Sequence, residues 1–274
     1  MVSAGRFASD EPALFQSTVD FVQLFCDVPD PVLAVTSKIE SLDARIAWTL
    51  LGTDLFQDRS YGEIGRLLSA LYERFPGDKL WTLPVPTGPE IEAVVESTFG
   101  SRNWSLFKNV AGIFWSVGLF VRRHPDLESW VRERTANGMW RDLGEIYFMG
   151  KNGPRVKACA AIYRLIAPRP LGLGLEFNND RRLPPLPLTM GSRRFIAMLG
   201  PAREGGFAEM EPAQKQALAN DFFVQLVPGN PYAAAHALQF YLEEGCEDFI
   251  CRERTEECAH CPLKDFCDYA VHHD

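Results

Sequence analysis

Near the end of the chain, four cysteines have metal-site spacing: Cys251-x6-Cys258-x2-Cys261-x5-Cys267, four thiols within 17 residues. Four thiolates suit either a tetrahedral Zn²⁺ or a [4Fe–4S] cluster. Structural zinc sites usually present two short knuckles. Here only Cys258 and Cys261 form one, and the wider x6 and x5 intervals suit a loop wrapped around a larger object. The spacing therefore favours the cluster and leaves zinc open. The flanks are charged, which argues against four ordinary buried thiols. Cys26, Cys159 and Cys246 fall outside the pattern and read as buried thiols, and His260 reads as a neighbour of the site rather than a ligand. Five of the seven cysteines lie between 246 and 267, a clustering that fits metal binding in a reducing compartment better than a disulfide framework.

A second stretch suits phosphate: Phe148-Met-Gly-Lys-Asn-Gly-Pro-Arg-Val-Lys157. Gly150 and Gly153 permit positive φ and close backbone approach. Pro154 is pre-organised for a first helical turn, where exposed N–H groups face an anion. Lys151, Arg155 and Lys157 add charge, and Asn152 completes the turn. The alternative is a plain helix–turn–helix corner with solvated basic residues. Further basic pairs stand at Arg122-Arg123, Arg181-Arg182 and Arg193-Arg194.

The elements carrying these residues read as helices. Apolar residues at i, i+3, i+4 spacing predict helices over Phe15–Leu24, Pro31–Leu42, Ala44–Leu55, Ser60–Phe75, Pro89–Phe99, Trp104–Arg123, Asp126–Arg134, Trp140–Phe148, Pro154–Ile166, Gly191–Leu199, Pro212–Gln225 and Pro231–Glu244. Residues 167–188 are Pro-rich and read as a loop or insertion. Strand-like alternation is nearly absent, so the fold class is all-α. The tryptophans at helical spacing read mostly as core.

The formal net charge is −8, which by itself argues against a polyanionic partner. Its distribution alters that reading: residues 1–100 carry −8, residues 101–200 carry +9, and residues 201–274 carry −9. The basic middle holds the 148–157 turn and the basic pairs, so nucleic acid would bind there. The longest largely apolar run, Val110–Val121, has 12 residues, short of the roughly 20 a membrane helix needs. The N-terminal residues lack an apolar signal core, so the expected location is cytoplasmic, with no membrane partner.

The x6, x2, x5 cysteine spacing resembles the iron–sulfur loop of the endonuclease III and adenine-glycosylase branch of the helix–hairpin–helix DNA glycosylases. Asn230 to Gly245 is similar to that family's helix leading into the cluster, and Cys261-Pro-Leu-Lys-Asp-Phe-Cys267 to its closing turn. The resemblance implies a [4Fe–4S] cofactor on Cys251, Cys258, Cys261 and Cys267. The cluster would be structural, presenting Arg252, Arg254 and Lys264 near DNA. It also implies two helical lobes: a six-helix barrel with the helix–hairpin–helix over 40–166, and a cluster lobe from 1–39 and 167–274. DNA would be held by Gly150, Lys151, Asn152, Gly153, Arg155, Lys157, Arg193 and Arg194.

The sequence departs from the family at its chemistry. The family's turn is Leu-Pro-Gly-Val-Gly, whereas Met149-Gly150-Lys151-Asn152-Gly153 keeps one Gly in register. Arg155 stands where bifunctional members carry a nucleophilic Lys, and Thr189 stands where the family carries its catalytic Asp. A guanidinium stays protonated and Thr has no carboxylate. Replacement groups are Lys151 in the turn and Asp180 in the Pro-rich segment. The implied function is DNA repair by excision of a flipped damaged or modified base. The alternatives are a catalytically inactive member that binds DNA or docks on a partner protein, and a member acting on RNA or a nucleoside.

Overall fold

Helix starts are marked by polar caps and prolines. Ser41 accepts from the Ala44 N–H, Asp126 from Ser129 and Thr135 from Gly138, while Ser60 and Glu63 form a reciprocal capping box. Proline opens five helices at the position where a missing N–H costs nothing. The computed structural model describes residues 4–57, 59–77, 81–82, 85–150, 155–178, 185–241 and 258–268.

Among the described residues there are thirteen α-helices and no strand: α1 (Ala4–Asp10), α2 (Pro12–Phe25), α3 (Pro31–Thr36), α4 (Leu42–Leu55), α5 (Tyr61–Arg74), α6 (Gly88–Phe99), α7 (Val110–Arg123), α8 (Leu127–Glu133), α9 (Ala136–Asp142), α10 (Val156–Ile166), α11 (Met190–Met198), α12 (Pro212–Leu226) and α13 (Pro231–Leu238). The chain is all-α. None of these helices is long and apolar enough to cross a membrane.

The chain divides into a continuous unit, Pro29–Pro184, and a split unit, Met1–Val28 with Pro185–Asp274. The centre of the continuous unit is α4, which packs against α3, α5, α7, α8 and α10. Eleven of its fourteen residues are buried, and a helix covered on nearly every side must be apolar nearly all round. The short α3 belongs here because Val32 and Val35 enter the same core. Residues 171–177 belong here too: the Leu173 and Leu175 N–H groups bond the Arg164 and Leu165 carbonyls, and Leu173, Leu175 and Phe177 pack on that core.

The split unit has an aromatic core. Phe21 of α2, Phe195 of α11, Phe222 of α12 and Tyr241 are all nearly inaccessible, with ring centroids 5.1–6.4 Å apart. Here α11 crosses α13 closely enough that a Cβ on Gly191 would lie 2.1 Å from the Gln239 carbonyl oxygen.

Five elements differ from expectation, one being the helix expected over Pro231–Glu244, which ends at Leu238 and passes into a turn at 239–241. An N-terminal helix, α1, precedes the first predicted one. The helix expected over Pro31–Leu42 stops at Thr36, because the chain turns before Ser41 caps α4. Of the Trp104–Arg123 segment, only 110–123 is regular α-helix, preceded by a 3-10 turn at Phe107–Asn109; the Trp104 indole N–H instead bonds the Gln57 carbonyl at 2.7 Å. The helix expected over Trp140–Phe148 starts earlier, under the Thr135 cap, and gives way to a 3-10 turn at Leu143–Glu145.

Candidate functional site

Within the buried helix α4, one residue is out of place by composition. Asp54 sits in the last turn, after Leu50-Leu51-Gly52-Thr53 and before Leu55, and its side chain is 0% exposed. Facing it is Lys157 in the first turn of α10. The Lys157 ammonium donates to the Asp54 backbone carbonyl at 2.6 Å and lies 3.5 Å from Asp54 Oδ1. Neither carboxylate oxygen has a well-formed hydrogen bond. Burial pushes the Asp54 carboxyl up to about 7, against the opposing pull of the Lys157 charge. The Lys157 side chain keeps 19% exposure, and its ammonium lies 5.8 Å from the Phe148 ring centroid. A carboxyl that titrates near neutrality beside a partly accessible amine can exchange protons with a bound molecule.

Seven residues further along α10, Arg164 makes a different pair. Its Nε donates to Asp30 Oδ2 at 2.7 Å and its Nη1 to Thr53 Oγ1 at 3.3 Å. The other Asp30 oxygen accepts the Val32 N–H at 2.9 Å and caps α3. Both side chains are almost wholly buried.

The turn into α10 has the backbone its glycines foretold in part. Gly150 has φ 94°, and two residues other than glycine also take positive φ, Phe148 at 70° and Arg155 at 44°. Lys151, Asn152, Gly153 and Pro154 lie outside the described residues. Arg155 packs against α9: its guanidinium lies 3.9 Å over the Trp140 ring and donates to the Trp140 carbonyl at 3.1 Å. Lys157 turns to Asp54. Arg193 and Arg194 lie on α11 of the split unit, both half-buried. Thr189 caps that helix, accepting from the Ser192 N–H at 3.4 Å. Asp180 lies outside the described residues, as do Arg181 and Arg182.

Three of the four patterned cysteines are described, and Cys251, Arg252, Arg254 and Cys246 are not. Cys258 and Cys261 are joined by a turn in which the Cys261 N–H bonds the Cys258 carbonyl at 3.0 Å. The Cys261 thiol is pushed up by burial and by the nearby Cys258 and Cys267 thiols, and the Leu263 N–H, hydrogen-bonded to it, pulls the other way. Cys267 is buried, with its sulfur 3.8 Å from the Tyr241 hydroxyl. The chemistry of this donor set suits a thiolate-bound metal group: the ligands are soft, and the Leu263 backbone N–H already points at one sulfur. Among the described residues, no three His, Cys, Asp or Glu side chains form a group that could hold a metal ion. His260 is exposed, as is Lys264. Cys159 is a buried thiol, pushed up to about 11 by burial, whereas Cys26, expected to be buried, is partly exposed after the end of α2.

Sequence reasoning overlooked Asp54. The available signal was an acid inside a helix otherwise read as strongly apolar. No family model, curated protein or solved structure matches this chain.

Proposed function

We propose that this chain is a DNA-binding protein of the helix–hairpin–helix glycosylase type that excises a damaged or modified base, and that Cys251, Cys258, Cys261 and Cys267 hold a [4Fe–4S] cluster. The cysteine spacing and the turn that joins Cys258 to Cys261 support the cluster, whose role when bound is to brace the loop. The positive-φ corner leading into α10, in the basic third of the chain, supports contact with a phosphate backbone. A reducing compartment such as the cytoplasm suits these thiols.

One observation carries the reading from binding to chemistry: the buried Asp54 carboxyl, poorly hydrogen-bonded and poised near neutrality beside Lys157. A buried polar group left unsatisfied disfavours folding by roughly 1–3 kcal/mol, more when charged, and such groups concentrate where protonation is used. In this reading, Lys157 gives a proton from its ammonium to the base as the C1′–N bond breaks, water forms the new C1′–O bond and its released proton restores the ammonium, and Asp54 holds that ammonium in place.

A second reading, a non-catalytic DNA binder, rests on a specific observation too. Arg155 and Thr189, which resemble family catalytic positions by register, are both engaged in structural roles, one stacked on Trp140 and the other capping α11. A base-release assay over duplexes carrying damaged or modified bases separates the two. The catalytic reading expects release by the wild type and a loss of about 100-fold or more in Asp54→Asn with duplex binding retained. Binding without release by the wild type on any substrate supports the second reading. Absorbance near 400 nm with about four irons per chain tests the cluster; a colourless protein with one zinc would remove it.

A further inference from the structure

Among the described residues, the continuous unit exposes three large apolar side chains, and all three gather on one face of α7. Trp115 is 48% exposed, Leu119 48% and Tyr147 46%; the other large apolar residues exposed to this degree belong to the split unit. Gly112, Trp115, Ser116 and Leu119 share this face by their helical spacing. Tyr147 is held over it at several points. Its ring lies 3.4 Å from where a Gly112 Cβ would be, its N–H donates to Ser116 Oγ at 2.6 Å, and its hydroxyl bonds Asn109 Oδ1 at 3.3 Å. The Trp115 indole N–H donates to the Pro86 carbonyl at 3.4 Å. Two aromatic side chains are thus pinned by their polar atoms while their apolar bodies stay in solvent.

Cations bracket this face. Lys108 precedes α7 and Arg122 closes it, both exposed and neither in an ion pair among the described residues. They are separated by ~21 Å at 1.5 Å per residue. Arg123 beside them is paired with Glu145 at 2.7 Å. An apolar patch covered by an ordinary protein partner does not call for unpaired cations at both ends, whereas a nucleic-acid strand presents bases and phosphates together. The turn into α10 begins at Phe148, whose ring meets Tyr147 edge-on at 4.6 Å, so the face adjoins that turn.

We infer that the Trp115–Leu119–Tyr147 face of α7 is a stacking platform for unpaired bases of a nucleic-acid strand, with Lys108 and Arg122 taking its phosphates. The inference rests on the reading that the chain binds nucleic acid, and it adds a preference for unpaired bases through a surface separate from the Asp54–Lys157 pair.

The test measures fluorescence anisotropy of the full chain with a labelled 12-nucleotide thymidine strand and with a duplex of equal length, alongside tryptophan fluorescence. The wild type is expected to bind the single strand with tryptophan quenching, and Trp115→Phe to lose most of that quenching. The double variant Trp115→Ala/Tyr147→Ala is expected to weaken single-strand binding tenfold or more while duplex affinity stays within twofold. Lys108→Ala/Arg122→Ala is expected to weaken it and flatten its salt dependence. Single-strand affinity unchanged in the aromatic double variant would overturn the platform, as would wild-type self-association abolished by that variant. Duplex binding without single-strand binding overturns this inference alone. Absence of binding to either overturns the proposed function as well.

Discussion

Two acid–base pairs lie on the same helix, seven residues apart, and they are built differently. Arg164 and Asp30 are in direct contact at 2.7 Å, the second Asp30 oxygen caps α3, and Thr53 takes another guanidinium donor. Lys157 and Asp54 are 3.5 Å apart, the ammonium spends its short bond on a backbone carbonyl, and neither carboxylate oxygen is well bonded. Both acids are inaccessible to solvent. A buried charge is tolerable when its hydrogen-bonding capacity is met and strained when it is not. The first pair therefore ties α3, α4 and α10 together, and the second stores an imbalance that a proton can relieve.

Breaking the satisfied pair should have the largest effect. Arg164→Met leaves Asp30 buried without its cation, and unfolding in denaturant is expected to show a loss of about 3–5 kcal/mol. Asp54→Asn should behave differently. The Asp54 carboxyl titrates near 7 in the folded chain and near 3.9 when unfolded. Between those values the folded state holds a proton that the unfolded state has released, so this group's contribution to stability falls as pH rises from about 4 to 7 and levels off above. Tm measured from pH 4 to 8 should therefore decline less in Asp54→Asn than in the wild type, by a few kcal/mol in stability. An identical decline would place the strain elsewhere. The smallest effect is expected from Lys157→Met. It should cost about 1 kcal/mol at pH 5, where Asp54 is protonated and only the bond to its backbone carbonyl is lost, and about 1 kcal/mol more at pH 8, where the carboxylate has lost its cation as well. A cost equal at both pH values would make Lys157 a packing residue.

Most helices were legible because their signals are local. The Ser60–Glu63 capping box, the prolines opening α12 and α13, and the apolar spacing of α4 and α5 need only neighbours in sequence. One error arose where a distant contact won, and another where a nearby cap was overlooked. Trp104 sits outside α7 because its indole bonds Gln57, and the break after α3 follows from Ser41 starting a new helix before Ile39 can continue the old one. The candidate site was legible in half. Lys157 was singled out as a basic residue of the turn, but its partner stands 103 positions earlier in a helix that periodicity assigned to the core.

By itself, the sequence determined the all-α class, the capped helix starts such as that of α5, the cysteine spacing and the basic middle third, because each depends on residue type and short-range order. Only the tertiary structure decided which charges meet and which are satisfied. It turned Arg155 onto Trp140 and Lys157 onto Asp54, gave Arg164 a full set of partners, and left Trp115 and Tyr147 in solvent. Burial and hydrogen-bond satisfaction are properties of the packed surroundings, and no residue carries them in its identity.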